Sequence, residues 1–221
     1  MFIWERVLTL SMVEIRLSEY TKATIKERAN KIKTENIREV DDRSILDRFC
    51  EDFCKVVERH TKYIIVSGFV AIAAGRVRGT EDIDMIIPKI TETVFIALHN
   101  DLEKNGFVCV QSDNPKDVYN DYLILGDPLR YTWKNRPVPE MEMKFAKDEL
   151  DKIQFQTREK IPFTGLDVWF SSIPMNVAFK EELLKSDKDM EDAKHLRKVF
   201  REKISEKDVQ EIKKLIRKYR L

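Results

Sequence analysis

The stretch from residue 63 to 88, YIIVSGFVAIAAGRVRGTEDIDMIIP, limits most sharply what this chain can become. Tyr63 to Val66 is a β-branched apolar run that suits a buried strand. Ser67-Gly68 interrupts it with a small, flexible pair. Phe69 to Ala74 is apolar and Ala-rich, which predicts a short buried helix ending near Gly75. A second strand is expected from Asp82 to Ile87, closed by Pro88. Side chains alternate along a strand, so Asp82 and Asp84 share a face, ~6–7 Å apart. Strand, turn, helix and strand in so short a span predict an α/β architecture.

Two carboxylates side by side repel each other unless a cation lies between them. Either they are a pair of surface acids, or they bind a divalent metal. Mg²⁺, which takes one or two carboxylates together with substrate phosphates, fits such a pair. The apolar neighbours Met85, Ile86 and Ile87 argue against an idle acidic pair.

The chain has 221 residues, enough for one large domain or two small ones. Lys and Arg number 40 against 39 Asp and Glu, so no global field announces a nucleic-acid partner. Three cysteines, Cys50, Cys54 and Cys109, are expected as buried or half-buried thiols in a reducing cytosol. Three scattered histidines argue against a zinc site or a Ser-His-Asp triad, and His99 is expected as a partly exposed surface residue. No apolar run reaches the ~18–20 residues of a membrane-spanning helix. No secretory cleavage signal follows Met1, Met12 is an equally good start, and a cytoplasmic location is expected.

Residues 1–41 read as a charged helical arm suited to a homodimer, 42–172 as the main domain and 173–221 as a helical subdomain. Ser44 is positioned to cap a helix from Ile45 to His60, with Ile45, Phe49, Phe53, Val56 and Val57 on one face. Residues 91–105 form an amphipathic helix with Val94, Ile96, Leu98 and Leu102 inward. Strands are expected at Phe107–Val110, Tyr122–Leu125 and Leu129–Trp133, with a polar loop over 111–120. In 139–145 Met141, Met143 and Phe145 alternate with Glu140, Glu142 and Lys144. A charged helix over 147–158 and a strand or hairpin over 162–170 come next. From Lys194 to Arg220, 11 Lys or Arg face 4 Asp or Glu, either a solvated helix face or a surface for an RNA backbone.

Ser67-Gly68, the short helix and Arg78-x-Thr80-x-Asp82-Ile83-Asp84 together resemble the polymerase-β-type nucleotidyltransferase superfamily. Within it the likeness is to the small prokaryotic branch of abortive-infection toxins. Lys180, Lys185 and the box Lys188-Asp189-x-x-Asp192 extend the resemblance, which spans about residues 45–200. It implies a small, mixed, twisted sheet flanked by helices. It further implies that Asp82 and Asp84 hold Mg²⁺, or Mn²⁺, with a third carboxylate on a neighbouring strand. Glu142 is the candidate for that third acid, with Glu140 and Asp167 as rivals.

Ser67, Gly68, Arg78, Lys180 and Lys188 are then expected at the phosphates of an NTP such as ATP, and Thr80 at the turn before the strand. The implied activity is transfer of a nucleoside monophosphate to an acceptor hydroxyl, a toxin-like reaction on tRNA or other RNA ends. The alternative is a non-catalytic nucleotide-binding or scaffold module on a degenerate copy of the fold.

Overall fold

The computed structural model describes residues 44–80 and 82–221. The proposed arm (1–41) and the choice between Met1 and Met12 lie outside the described residues. Every described residue falls in one compact unit, Glu39–Leu221.

Five strands form one mixed sheet in the order β1-β2-β5-β4-β3: β1 Ile64–Val66, β2 Asp82–Ile87, β3 Phe107–Cys109, β4 Leu129–Trp133 and β5 Arg136–Phe145. Only the central pair, β2 and β5, is parallel; the other three pairings are antiparallel. Eight α-helices surround the sheet among the described residues: α1 Ile45–Val57, α2 Gly68–Ala73, α3 Glu92–Lys104, α4 Pro115–Asp121, α5 Glu149–Gln156, α6 Ile173–Phe179, α7 Asp187–Val199 and α8 Glu206–Arg220. The mixed α/β class expected from the sequence is the class observed.

Helix α1 starts where Ser44 and Asp47 cap it reciprocally, each side chain accepting the other's backbone N–H. Phe49 and Phe53, both fully buried, meet Phe107 at 5.7 and 5.1 Å between ring centres. Burying each such ring is worth about 2–3 kcal/mol. Ile45, expected inward, is instead 51% exposed, because the first helical residue precedes the point where α1 meets the sheet. Cys50 and Cys54 sit one turn apart with their sulfurs 4.0 Å from each other, and all three cysteines are free and buried.

Other expectations also need correcting. On α3 the fully buried residues are Phe95, Leu98, His99 and Leu102, a cleaner i, i+3, i+4, i+7 stripe than the one including Val94 and Ile96. His99 is not a surface residue. It is completely buried, with Nδ1 2.9 Å from the Tyr131 hydroxyl, and burial holds its pKa below the ordinary value. The polar loop over 111–120 contains α4, capped by Asn114 with Pro115 in the first turn. Tyr122–Leu125 is no strand, since Leu123–Leu125 forms a 3₁₀ turn closed by Gly126 at φ 96°. Residues 162–170 give a 3₁₀ turn and isolated bridges, in which Phe170 pairs with Ile65 and Glu159.

Candidate active site

One face of the sheet carries Ile83, Met85, Tyr131, Met141 and Met143, all fully buried. The other face carries the acids. In the parallel pairing Asp82 stands opposite Glu140 and Asp84 opposite Glu142. Residues in register on neighbouring strands are about 4.8 Å apart and project the same way. The four carboxylates therefore form a rectangle on one face. The sequence parity put Glu140 and Glu142 together, but only the register brings them beside the Asp pair.

Charge crowding is visible in Asp84. Burial raises its carboxyl above the ordinary value of 3.8, Glu142 and Asp82 push the same way, and Lys144 and the Ser67 side chain oppose them. Lys144 Nζ lies 3.8 Å from Asp84. Arg130, from β4, donates from Nε to Glu142 at 3.0 Å and approaches Glu140 at 3.7 Å. Thr80 donates to Asp82 Oδ1 at 3.0 Å and so fixes that carboxylate.

The donors here are all oxygens, the chemistry a hard divalent cation takes. Among the described residues no group of three or more His, Cys, Asp or Glu is gathered so as to hold a metal ion unaided.

Ser67 occupies the turn between β1 and α2 at φ 65°, a conformation that favours glycine. The strain belongs to the residue whose side chain meets Asp84. Gly68 opens α2, and a Cβ there would stand 3.0 Å from the Arg78 guanidinium. A bare glycine lets that cation lie against the backbone.

Arg78 is held from its other side. Its Nη1 donates to Asp192 at 2.6 Å. Asp192, fully buried on α7, also accepts Lys180 at 2.8 Å and pairs with Arg76. Lys180 lies on a π-helical turn, Lys180–Leu184, that continues α6, and its ammonium also donates to Asp189 at 3.1 Å. Burial works against the charge on Asp189, yet Ser186 and Lys180 hold its pKa below 3.8.

A cleft of about 690 Å³ lies between the acid face and the C-terminal helices. Ser67, Asp84, Lys144 and Lys180 line one part of it, and Leu123–Leu125 with Phe179 and Leu183 supply an apolar wall. Arg220 reaches it from the last turn of α8, bonded to Asp148 at 2.6 Å and Asp151 at 2.7 Å.

The structure thus brings Asp82, Asp84, Glu140, Glu142, Ser67, Gly68, Arg78, Thr80 and Lys180 into one region. It does not bring Asp167 there: that residue is exposed, paired with Lys160 at 2.6 Å, with its backbone tied to Glu51 on α1. Lys188 is exposed on the first turn of α7, outside the lining of the cleft, and its carbonyl accepts from Arg76. Sequence reasoning passed over Arg76, Arg130 and Arg220. Arg130 alternates with buried Leu129 and Tyr131, a legible signal; Arg220 carries none.

No family model matches the chain, and no curated protein matches it. Solved structures do. The solution structure of the antibiotic-resistance factor ANT(2'')-Ia aligns at 15% identity and TM-score 0.47, covering 78% of this chain and 91% of that one. ANT(2'')-Ia in complex with adenylyl-2''-tobramycin aligns at 15% and 0.49, covering 79% and 98%. An antigenic nucleotidyltransferase-like protein from Paracoccidioides brasiliensis aligns at 15% and 0.48, covering 78% and 88%. The chain is thus similar, at 15% identity, to an antibiotic-resistance factor and to a nucleotidyltransferase-like protein.

Proposed function

We propose that the chain is a nucleotidyltransferase, moving a nucleoside monophosphate from an NTP to an acceptor hydroxyl as pyrophosphate leaves. One observation carries the reading: the register that sets Glu142 beside Asp84, at the edge of a cleft bordered by Ser67 and Lys180. Residues 42–172 would form the catalytic domain and 173–221 its helical cover. Asp82 and Asp84 would hold Mg²⁺ or Mn²⁺, which when bound lends Lewis acidity at the phosphates.

The remaining roles belong to the chain itself. Glu142 takes the proton from the attacking hydroxyl. Thr80 and Ser67 orient Asp82 and Asp84. The backbone at Gly68 and the Arg78 guanidinium face the phosphates, where bulkier residues would block approach. An ammonium has three protons, and Lys180 uses two on Asp189 and Asp192, which leaves one for a phosphate oxygen. Lys188 contributes an exposed charge at the rim of this helix.

The acceptor implied by the toxin resemblance is an RNA end. The basic C-terminal helices support this less than their composition suggests. Arg197, Lys213, Arg217 and Arg220 are engaged by Glu181, Glu182, Asp148 and Asp151. A second reading, a nucleotide-binding module without catalysis, is favoured by one contact, the Arg130 guanidinium on Glu142.

Incubation with each labelled NTP, Mg²⁺ and total RNA separates the readings, with an Asp82→Asn, Asp84→Asn variant as control. Label entering RNA only with the intact protein is the expected result. Metal-dependent NTP binding without transfer to any acceptor favours the binding module. Neither binding nor transfer rejects both.

A further inference from the structure

A second cavity of about 690 Å³ adjoins the cleft and shares Lys89, Ala146 and Lys147 with it. It opens where β2 and β5 end and α5 begins. Lys62, Lys89, Lys147, Lys152 and Arg158 line it around Phe155. Its two acids already have partners: Asp148 pairs with Arg220 at 2.6 Å and Glu149 with Lys152 at 2.9 Å. Lys62, Lys89 and Lys147 form no ion pair among the described residues.

In a chain with 40 basic and 39 acidic residues, such a gathering of one sign is a local feature and not an average one. Like charges lining a concavity concentrate anions and repel cations. Beside them Arg158 lies 4.4 Å over the Trp169 ring, while Lys160, 5.2 Å from that ring, is held by Asp167. Cations interleaved with aromatic faces suit a strand of stacked bases on a phosphate backbone. The cations come from three separate segments of the chain, a spread that matches a row of phosphates better than a single one.

We propose that this basin binds the phosphodiester backbone of a single-stranded RNA acceptor, whose terminal hydroxyl enters the cleft beside Asp84. The inference rests on the nucleotidyl-transfer reading for its chemistry. The RNA hydroxyl oxygen bonds to the α-phosphorus, the bond from that phosphorus to the bridging oxygen breaks, and pyrophosphate leaves with the electron pair. The hydroxyl proton passes to Glu142. A polycationic acceptor would meet the same lysines as a barrier.

The test uses the full chain and a fluorescent oligoadenylate, with binding followed by anisotropy over a range of salt and no NTP present. Lys62→Glu, Lys147→Glu is the test variant; Lys62→Gln, Lys147→Gln repeats it without reversing charge. Lys214→Glu, Lys218→Glu, on exposed positions of α8, is the control. We expect the basin reversal to weaken binding at least tenfold. Each phosphate contact contributes about 0.7 to the slope of log affinity against log salt, so the Gln pair should lower its magnitude by about 1.4. The α8 pair should stay within about twofold.

Loss with the α8 pair alone, unchanged binding in the basin variants, or no oligoadenylate binding at all would overturn the proposal. Metal-dependent ATP binding is measured in parallel. Its absence, with the basin behaving as expected, would sink the transfer reading and leave the basin as an RNA site.

Discussion

Two charged clusters flank the same cleft and solve opposite problems. Around Asp192, three cations (Lys180, Arg76 and Arg78) converge on one fully buried carboxylate, and Asp189 shares the lysine. Each cation has a carboxylate partner, although Arg78 Nε is buried without one, and the cluster ties α7 to the loop before β2 and to the π-helical turn. On the sheet face, four carboxylates crowd together with only Arg130 and Lys144 beside them, and Asp84 is pushed toward its neutral form. One cluster gives each of its cations a carboxylate within the chain. The other sets four carboxylates beside two cations.

Truncation should separate the two most strongly. Asp192→Ala leaves three cations facing one another in a buried pocket, and breaking a buried pair this way costs about 3–5 kcal/mol. Chemical denaturation should record that loss, whereas Asp84→Asn should leave stability unchanged or raise it while removing transfer. Comparable destabilisation by both substitutions would erase the distinction.

A smaller effect is expected at Arg130. On the proposed function its guanidinium would compete with a metal ion for Glu142, and it is 51% exposed, so the pair is worth at most ~1 kcal/mol. Arg130→Gln should tighten Mn²⁺ binding about two- to fivefold in a titration followed by electron paramagnetic resonance. Weaker binding would mean that Arg130 supports the acid face and does not compete for it.

The smallest effect is a difference in sign with pH. Asp84 is raised in the folded state, so the fold binds its proton more tightly than the unfolded chain does. Its unfavourable contribution therefore appears as pH rises from the ordinary 3.8 through the folded value. Asp189 is lowered, so its favourable contribution is present above 3.8 and fades as pH falls through the folded value. Denaturation midpoints measured from pH 3 to 6 should show Asp84→Asn gaining over the parent as pH rises, and Asp189→Asn losing.

Local signals carried much of this molecule. The β2 acids, the small turn at Ser67-Gly68, the Ser44 cap and the alternation of β5 are all readable from neighbouring residues. What escaped was non-local. No window of sequence contains both Asp84 and Glu142, and nothing near Arg130 says that it reaches Glu142 across a strand pairing. His99 looked like a surface residue because its partner, Tyr131, lies 32 positions away. The stretch over 111–125 misled for another reason. Its polarity suggested a loop and the apolar run Tyr122–Leu125 a strand, yet Asn114-Pro115 starts a helix within the first and Gly126 closes a 3₁₀ turn over the second.

The parallel pairing of β2 with β5 also sets a schedule. Two helices and two strands lie in the chain between them, so the acid face closes only after that whole excursion has been made and folded back. During synthesis, a chain that has emerged through β2 carries Asp82 and Asp84 but no Glu142. An unfinished chain is therefore unarmed, and the chemistry proposed here becomes available only when β5 docks.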